Sequence, residues 1–185
     1  MIDSPIFFAA LTYTPATLGF LGCIKPKTIF PVAILTLVGI AGLSLTALQT
    51  GFEISYKLIW TGGIEFTFDK YTFPLLFAAS ISLLIVLSTY RDKLSHYFYQ
   101  ICLVLLTALT VSFSAQDLIS IYIALELTGF CAFILIADRN DNKSLFHSFQ
   151  YLIGGGLAML IYLIGVVQGF QFSGSFLISD LSTAS

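Results

Sequence analysis

Charge is what this sequence has least of. Only 10% of its 185 residues are Asp, Glu, Lys or Arg, whereas 57% are hydrophobic. A soluble domain has roughly 25% charged residues, so this chain is too poor in charge to cover a surface that faces water. The net charge is −2 and no basic tract occurs, which argues against nucleic acid as a partner. The composition predicts a protein whose solvent is a lipid bilayer.

Cysteine is also scarce. Cys23, Cys102 and Cys131 are far apart, and no Cys-x-x-Cys motif or Cys/His cluster occurs. We therefore expect neither a metal site nor a disulfide, and we interpret the thiols as small packing residues. The N-terminus has no Arg-rich transit peptide, and Asp3 stands where a cleaved signal would carry positive charge. The first apolar run is therefore interpreted as a retained helix.

Long apolar runs are what the sequence does have. A membrane-spanning helix needs about 20 apolar residues, whereas a barrel strand needs about 10 residues of alternating character. The runs here are of the helical length, so the sequence predicts an all-α membrane protein with one transmembrane domain, residues 1–185. The predicted spans are Pro5–Ile24, Ile29–Leu48, Phe73–Tyr90, Tyr97–Phe113, Leu118–Ala137 and Leu145–Val167.

Residues 51–70 follow a different pattern, because apolar and polar side chains alternate on both sides of Gly62-Gly63. This period of two around a glycine pair predicts a β-hairpin between the second and third helices, with both glycines at positive φ. The apolar positions are Ile54, Tyr56, Leu58, Trp60, Ile64, Phe66 and Phe68. Residues 169–185 are rich in Gly and Ser and are predicted to form a polar tail.

The basic residues are unevenly distributed along the chain. Six of the eight lie in the connections after the first, third and fifth spans: Lys25, Lys27, Arg91, Lys93, Arg139 and Lys143. Only Lys57 and Lys70 lie elsewhere. The positive-inside rule therefore places these three connections on the cytoplasmic or matrix face, and both termini on the opposite face.

Glu126 is the one acidic residue near the middle of a predicted span. An ionised carboxylate there costs a few kcal/mol unless it is paired or hydrated, and such residues usually belong to ion or proton paths. The alternative is a protonated Glu that makes one interhelical hydrogen bond. Tyr122 lies one turn away on the same face. His147 and Gln150, one turn apart in the sixth span, complete the candidate proton path, although His147 also fits a membrane-interface residue.

Gly154, Gly155 and Gly156 interrupt the sixth span with three consecutive residues that lack side chains. They allow either a close approach of another helix or an irregular turn beside a water path.

Three segments carry a resemblance to a known family. DLISIYIALELTGFCAFILIA, from Asp117, resembles the fifth helix of subunit 2 (bacterial subunit N) of respiratory complex I, and NKSLFHSFQYLIGGGLAMLIYLIGVVQGF resembles the helix after it. FDKYTFPLLFAASISLLIVLSTY, from Phe68, is similar to the third helix of that subunit. Subunits 4 and 5 and the multisubunit sodium/proton antiporters share the same plan. The sequence is therefore identified as similar to the N-terminal part of an antiporter-like subunit.

The resemblance implies a proton-translocating subunit in the complex I membrane arm, in the mitochondrial inner membrane or else a bacterial plasma membrane. Glu126 matches a Glu that works with lysines on later helices of the family. Gln150 departs from the family, which often has Lys there. Because the family has more helices than this chain, we expect a split subunit completed by a second polypeptide, or alternatively a degenerate remnant.

The resemblance also implies the partners. These are the other membrane-arm subunits and membrane lipids, while FMN, iron–sulfur clusters and ubiquinone are expected in other subunits and no cofactor in this chain. The chain then performs no redox chemistry of its own, although it is a subunit of a proton-translocating NADH:ubiquinone oxidoreductase. Two rival hypotheses are a fragment of a sodium/proton antiporter outside complex I and a purely structural, non-conducting membrane subunit.

Overall fold

The computed structural model describes residues 4–21, 28–57, 64–91, 95–137 and 142–184, with only the backbone described for residues 4–10, 142, 183 and 184. These residues form seven helices and two short strands. In chain order the elements are α1 (Ser4–Leu21), α2 (Ile29–Thr50), β1 (Ile54–Lys57), β2 (Glu65–Phe68), α3 (Thr72–Thr89), α4 (His96–Ser114), α5 (Leu118–Ile136), α6 (Asn142–Ser173) and α7 (Ile178–Ala184).

The prediction of an all-α membrane protein is confirmed. Five helices, α2 to α6, are long and apolar enough to cross a membrane. Helices are the expected form because a helix satisfies all its backbone hydrogen bonds internally, as hydrocarbon requires. The first predicted span forms the 18-residue helix α1, and residues 22–27 lie outside the described part of the chain.

Helix α6 departs most from its predicted bounds. It has 32 residues and ends at Ser173, six residues beyond the predicted end at Val167. At a rise of about 1.5 Å per residue it is about 48 Å long, which exceeds the roughly 30 Å hydrocarbon thickness. The segment predicted as a polar tail therefore begins as helix, and it continues through a short turn into α7.

The two strands pair in a two-stranded sheet, as the alternating pattern predicts. In β2 the side chains of Phe66 and Phe68 are buried, while those of Glu65 and Thr67 between them are partly exposed. Lys57 and Glu65 form an ion pair at 3.1 Å. The predicted positive φ at Gly62 and Gly63 lies outside the described residues and stays a prediction.

Residues 1–56 and 67–114 form one compact unit, which contains α1 to α4. In it α1 packs on α4, and α2 packs on α3. The approach of α1 to α4 is close, because a Cβ added to Gly19 would lie 3.2 Å from the carbonyl oxygen of Gln100. The core combines aliphatic and aromatic side chains and includes the fully buried Leu76, Leu103 and Phe73.

Asp69 organises the start of α3 within this unit. Its Oδ1 accepts hydrogen bonds from the Tyr71 and Thr72 backbone N–H groups, at 3.0 and 2.9 Å, and from the Thr72 hydroxyl at 2.8 Å. Burial alone raises the pKa of the Asp69 carboxyl, but these hydrogen bonds outweigh that effect and hold its pKa below the ordinary value. The charged form of Asp69 therefore stabilises the turn that leads into α3.

Residues 57–66 and 115–185 form the second compact unit, which contains α5, α6 and α7. Helix α5 packs on α6, and α7 folds back on α6. The turn before α7 is tied to the start of α5 by Leu118 N–H to the Phe176 carbonyl, 3.0 Å, and by Ile178 N–H to the Gln116 carbonyl, 3.1 Å. Residues within the segment predicted as a polar tail, 169–185, thus contact the beginning of a membrane helix.

Candidate functional site

Glu126 is held close to the middle of α5. The helix runs from Leu118 to Ile136, so at about 1.5 Å per residue Glu126 lies about 12 Å from its start and about 15 Å from its end. The start of the helix is fixed by Asp117, whose side chain accepts a hydrogen bond from the Ser120 N–H at 2.7 Å. This N-cap sets which residues come to the centre of the span.

The Glu126 side chain lines a pocket of about 300 Å³ between α5 and α6. The other lining residues are Leu125, Thr128, Gly129, Phe130, Tyr151, Leu152, Gly155, Gly156, Ala158 and Met159. Glu126 is the one carboxylate among them, and none of them is basic. Thr128 donates its hydroxyl hydrogen to the Ala124 carbonyl oxygen, 2.8 Å away, rather than to Glu126.

Glycine makes room for this pocket. A Cβ added at Gly129, Gly155 or Gly156 would meet no other atom within 4 Å. Helix α6 is continuous across Gly154–Gly156, so of the two interpretations of this triplet the irregular turn is wrong. The helix continues through the three glycines, which leave an open face beside Glu126.

The other predicted path residues lie outside the pocket lining. His147 and Gln150 are brought together, with 3.3 Å between His147 Nδ1 and Gln150 Oε1, and both are exposed near the start of α6. His147 is eight residues from Gly155, about 12 Å along the helix. Tyr122 lies one turn from Glu126 toward the start of α5, where its ring stacks on that of Tyr162 with 6.3 Å between centroids. The roles of all four residues stay predictions.

The sequence analysis did not predict that Asp117 is buried. It is 0% exposed, and its Oδ2 atom is buried without a hydrogen-bond partner among the described residues. An Asp just before an apolar run does signal a helix N-cap. Its burial could not be predicted, because it depends on the turn before α7, in a segment predicted as a tail. No group of three His, Cys, Asp or Glu able to hold a metal occurs within the described ranges.

Comparison with known proteins agrees with the resemblance found in the sequence. Residues 115–185, which hold α5, α6 and α7, match the family described as NADH:quinone oxidoreductase/Mrp antiporter, TM. A solved structure of the Mrp complex from Dietzia sp. DQ12-45-1b has the same fold, with a TM-score of 0.82 over 94% of this chain at 16% sequence identity. That match covers 38% of the Mrp chain.

Two sequence relatives carry complex I names. NADH-ubiquinone oxidoreductase chain 2 of Dictyostelium citrinum is 34% identical over 71 residues, which are 38% of this chain and 14% of that protein. NADH-quinone oxidoreductase subunit N of Dehalococcoides mccartyi is 29% identical over 149 residues, or 77% of this chain and 30% of the relative. The chain therefore spans less than a third of the length of either relative.

The family match covers the two segments from Asp117 onward that carry the sequence resemblance, and the relatives include both ubiquinone- and quinone-oxidoreductase subunit names. Over residues 115–185 the chain is thus similar to the family of antiporter-like membrane subunits, it has the fold of an Mrp complex chain, and it spans only part of the length of these relatives.

Proposed function

We propose that this chain is a proton-translocating membrane subunit of respiratory complex I, in which Glu126 holds a proton in transit. The observation that carries the proposal is the position of Glu126. It is a carboxylate at the middle of an apolar helix, and it opens into a pocket of about 300 Å³ instead of packing into a core. The relatives' names favour complex I over a separate antiporter, because both sequence relatives above are named as its subunits.

The pocket leaves open space beside the Glu126 carboxyl. A charged carboxylate at the centre of a membrane helix costs about 3 kcal/mol when it is bare, and water or a cation offsets this cost. The pocket has room for several water molecules, since each fills about 30 Å³ of liquid. A proton carrier has to be stable with and without its proton, and a hydrated mid-membrane carboxyl meets that condition.

A positive partner would have to come from residues beyond the pocket lining, none of which is basic. We propose that it is a Lys on the part of an antiporter-like subunit that this chain does not span. The open face of Gly154, Gly155 and Gly156 is where another helix could approach, because small residues let backbones come close. A Lys placed there would stabilise the charged form of Glu126 whenever it came near.

The proposal also covers the membrane in which the chain resides and its partner subunits. This is a multi-pass membrane protein, and we place it in the mitochondrial inner membrane with the other membrane-arm subunits of complex I. A bacterial plasma membrane is the alternative, because relatives of both origins match. FMN, iron–sulfur clusters and ubiquinone belong to other subunits of the same enzyme in this proposal. The chain then contributes to proton translocation coupled to NADH:ubiquinone electron transfer without redox chemistry of its own.

Purification of the assembled complex through an affinity tag on this chain tests the proposal. Flavin- and iron–sulfur-containing partners, together with proton uptake driven by NADH in vesicles, are the expected result. A complex without redox subunits that exchanges sodium for protons would identify the antiporter instead. A complex that pumps equally well with Glu126→Gln would leave this chain a structural subunit.

A further inference from the structure

Asp117, the N-cap of α5, is a second acidic residue with an unusual setting. The residue is 0% exposed. Its Oδ1 accepts the Ser120 N–H hydrogen bond, 2.7 Å, whereas Oδ2 is buried and has no hydrogen-bond partner among the residues that the structure describes. Buried polar atoms are nearly always hydrogen-bonded, so an orphan carboxylate oxygen requires an explanation.

Three elements enclose this carboxyl. The turn before α7 is joined to the residues on either side of Asp117 by two backbone hydrogen bonds, and Asp117 and Leu177 form a β-bridge. On α6, the Tyr162 hydroxyl donates to the Leu118 carbonyl, 3.0 Å away, and Tyr162 interacts electrostatically with Asp117. From the hairpin, the Glu65 carbonyl accepts the Gln116 N–H at 2.8 Å.

The ionisable groups on those elements leave Asp117 without a basic partner. Near Asp117 they are Tyr162 on α6, Asp180 on α7 and Glu65 on β2. The basic residues of α6, Lys143 and His147, lie at its other end, about 28 and 22 Å along the helix from Tyr162. Lys57, on β1, is already paired with Glu65 at 3.1 Å. An ammonium group therefore does not neutralise Asp117 from these elements.

The chemistry of the site fits two protonation states within one fold. The charged form is supported by the Ser120 N–H and by the positive end of the α5 dipole. Burial of an unpaired oxygen opposes that form, because the charged oxygen has lost its hydration without gaining a hydrogen bond. Adding one proton at Oδ2 removes the charge and leaves the hydrogen bond to Oδ1 in place.

We propose that Asp117 takes up and releases a proton at Oδ2, and that α5 therefore holds two proton-carrying carboxyls. The proton comes from water and forms one O–H bond, which changes the side-chain charge from −1 to 0; release returns the proton to water. Asp117 is nine residues from Glu126, about 13.5 Å along the helix axis. Its part in translocation rests on the proposed function, whereas proton binding at Asp117 does not.

The stacked rings of Tyr122 and Tyr162 lie between the two carboxyls along α5. Two hydroxyl-bearing side chains therefore occupy the interval along α5 between Asp117 and Glu126. This arrangement is what distinguishes Asp117 from an ordinary N-cap, whose side chain needs only the first turn of its own helix.

Substitution separates capping from proton binding. Asn and Ser cap helices about as well as Asp, and Ala does not. Asp117→Asn and Asp117→Ser therefore keep the start of α5 and remove the titrating group, while Asp117→Ala removes both. The assembled membrane complex containing each variant would be compared with the wild type by infrared difference spectroscopy between an acidic and an alkaline pH.

The expected result is the loss of one carboxylic-acid C=O band, present at acidic pH, from Asp117→Asn and from Asp117→Ser. Glu126→Gln should keep that band. If the spectra of both capping variants equal that of the wild type, Asp117 is only a cap and the proposal is overturned. The proposed function fails separately, if Glu126→Gln leaves proton pumping unchanged, so the two outcomes can be told apart. Should Asp117→Asn not assemble, the Ser variant alone decides.

Discussion

Replacing Glu126 with Gln removes the ability to bind and release a proton and changes little else. The two side chains have nearly the same volume, and the amide can still hydrogen-bond. Glu126 lines an open pocket of about 300 Å³, so the substitution creates neither a cavity nor a clash. The stability of α5 should be unaffected, because Asp117 caps the helix nine residues away. A change in proton transport would then reflect the lost carboxyl rather than a damaged fold.

The expected size of the effect of Glu126→Gln on pumping follows from electrostatics. A cation about 10 Å from Glu126 interacts with the carboxylate by about 1.7 kcal/mol at an effective dielectric constant of about 20. This energy changes the ratio of charged to neutral Glu126 roughly 15-fold, and it is about half of the ~3 kcal/mol cost of a bare mid-membrane charge. Movement of the cation can thus load and unload the carboxyl. Gln has no such response, so pumping should fall at least tenfold.

The assay is NADH-driven proton uptake into vesicles containing the assembled complex, followed with a pH-sensitive dye. NADH oxidation is measured in the same vesicles and should remain detectable. Glu53→Gln is the matched control, because it makes the same chemical change at an exposed acid between α2 and β1. An unchanged ratio of protons moved to NADH oxidised in Glu126→Gln would refute the reasoning.

Three further predictions concern the pocket, the start of α3 and the topology. Gly155→Leu should fill the pocket and reduce pumping severalfold, whereas Gly165→Leu, on an equally open part of α6 outside the pocket, should not; pumping assays on both decide. Because its pKa is lowered in the folded state, the Asp69 carboxylate stabilises the fold above the unfolded pKa of about 3.9, and this stability is lost as pH falls through the folded pKa. Asp69→Ala should therefore lower the free energy of unfolding by about 1 kcal/mol at neutral pH and by less in acid, as measured in thermal melts. In a cysteine-free background, Lys57→Cys and Arg91→Cys should be labelled from opposite sides of sealed vesicles, and labelling from the same side would contradict the predicted topology.

The helices could be predicted from sequence because a lipid environment makes apolar run length decisive. Where the apolar run ends, the end of the helix was predicted wrongly. Beyond Val167 the residues of α6 include Gln168, Gly169 and Gln171, yet the helix continues to Ser173. Its last turns are held by tertiary contact, since a Cβ at Gly169 would lie 3.1 Å from the Leu181 side chain of α7. A segment that is ordered by a neighbour carries no periodic signal of its own.

Some features of the candidate site could likewise be predicted from sequence, and others could not. Glu126 could be found from sequence, because a charge near the middle of an apolar run is visible in one dimension. The pocket could not, since it depends on which residues of α6 face α5. The i, i+4 rule correctly put Tyr122 one turn from Glu126, but it could not reveal the stacking partner Tyr162, 40 residues away. Asp117 was missed because its burial is produced by a turn almost 60 residues later.

The order of these groups along the membrane normal shows which end of the proposed path lies on which side of the membrane. Phe133 contacts Phe149, with 5.7 Å between ring centroids, and Tyr122 stacks on Tyr162, so α5 and α6 are antiparallel. His147 therefore lies beyond one end of the Glu126 pocket, on the side predicted to face the matrix or cytoplasm. Asp117 lies toward the opposite side. Neither is within hydrogen-bond reach through its own helix spacing, since each is about 12 Å or more away along its helix. In the proposed path, protons would therefore pass through intervening water or hydroxyl groups, and Glu126 would be the carboxyl at which both half-paths meet.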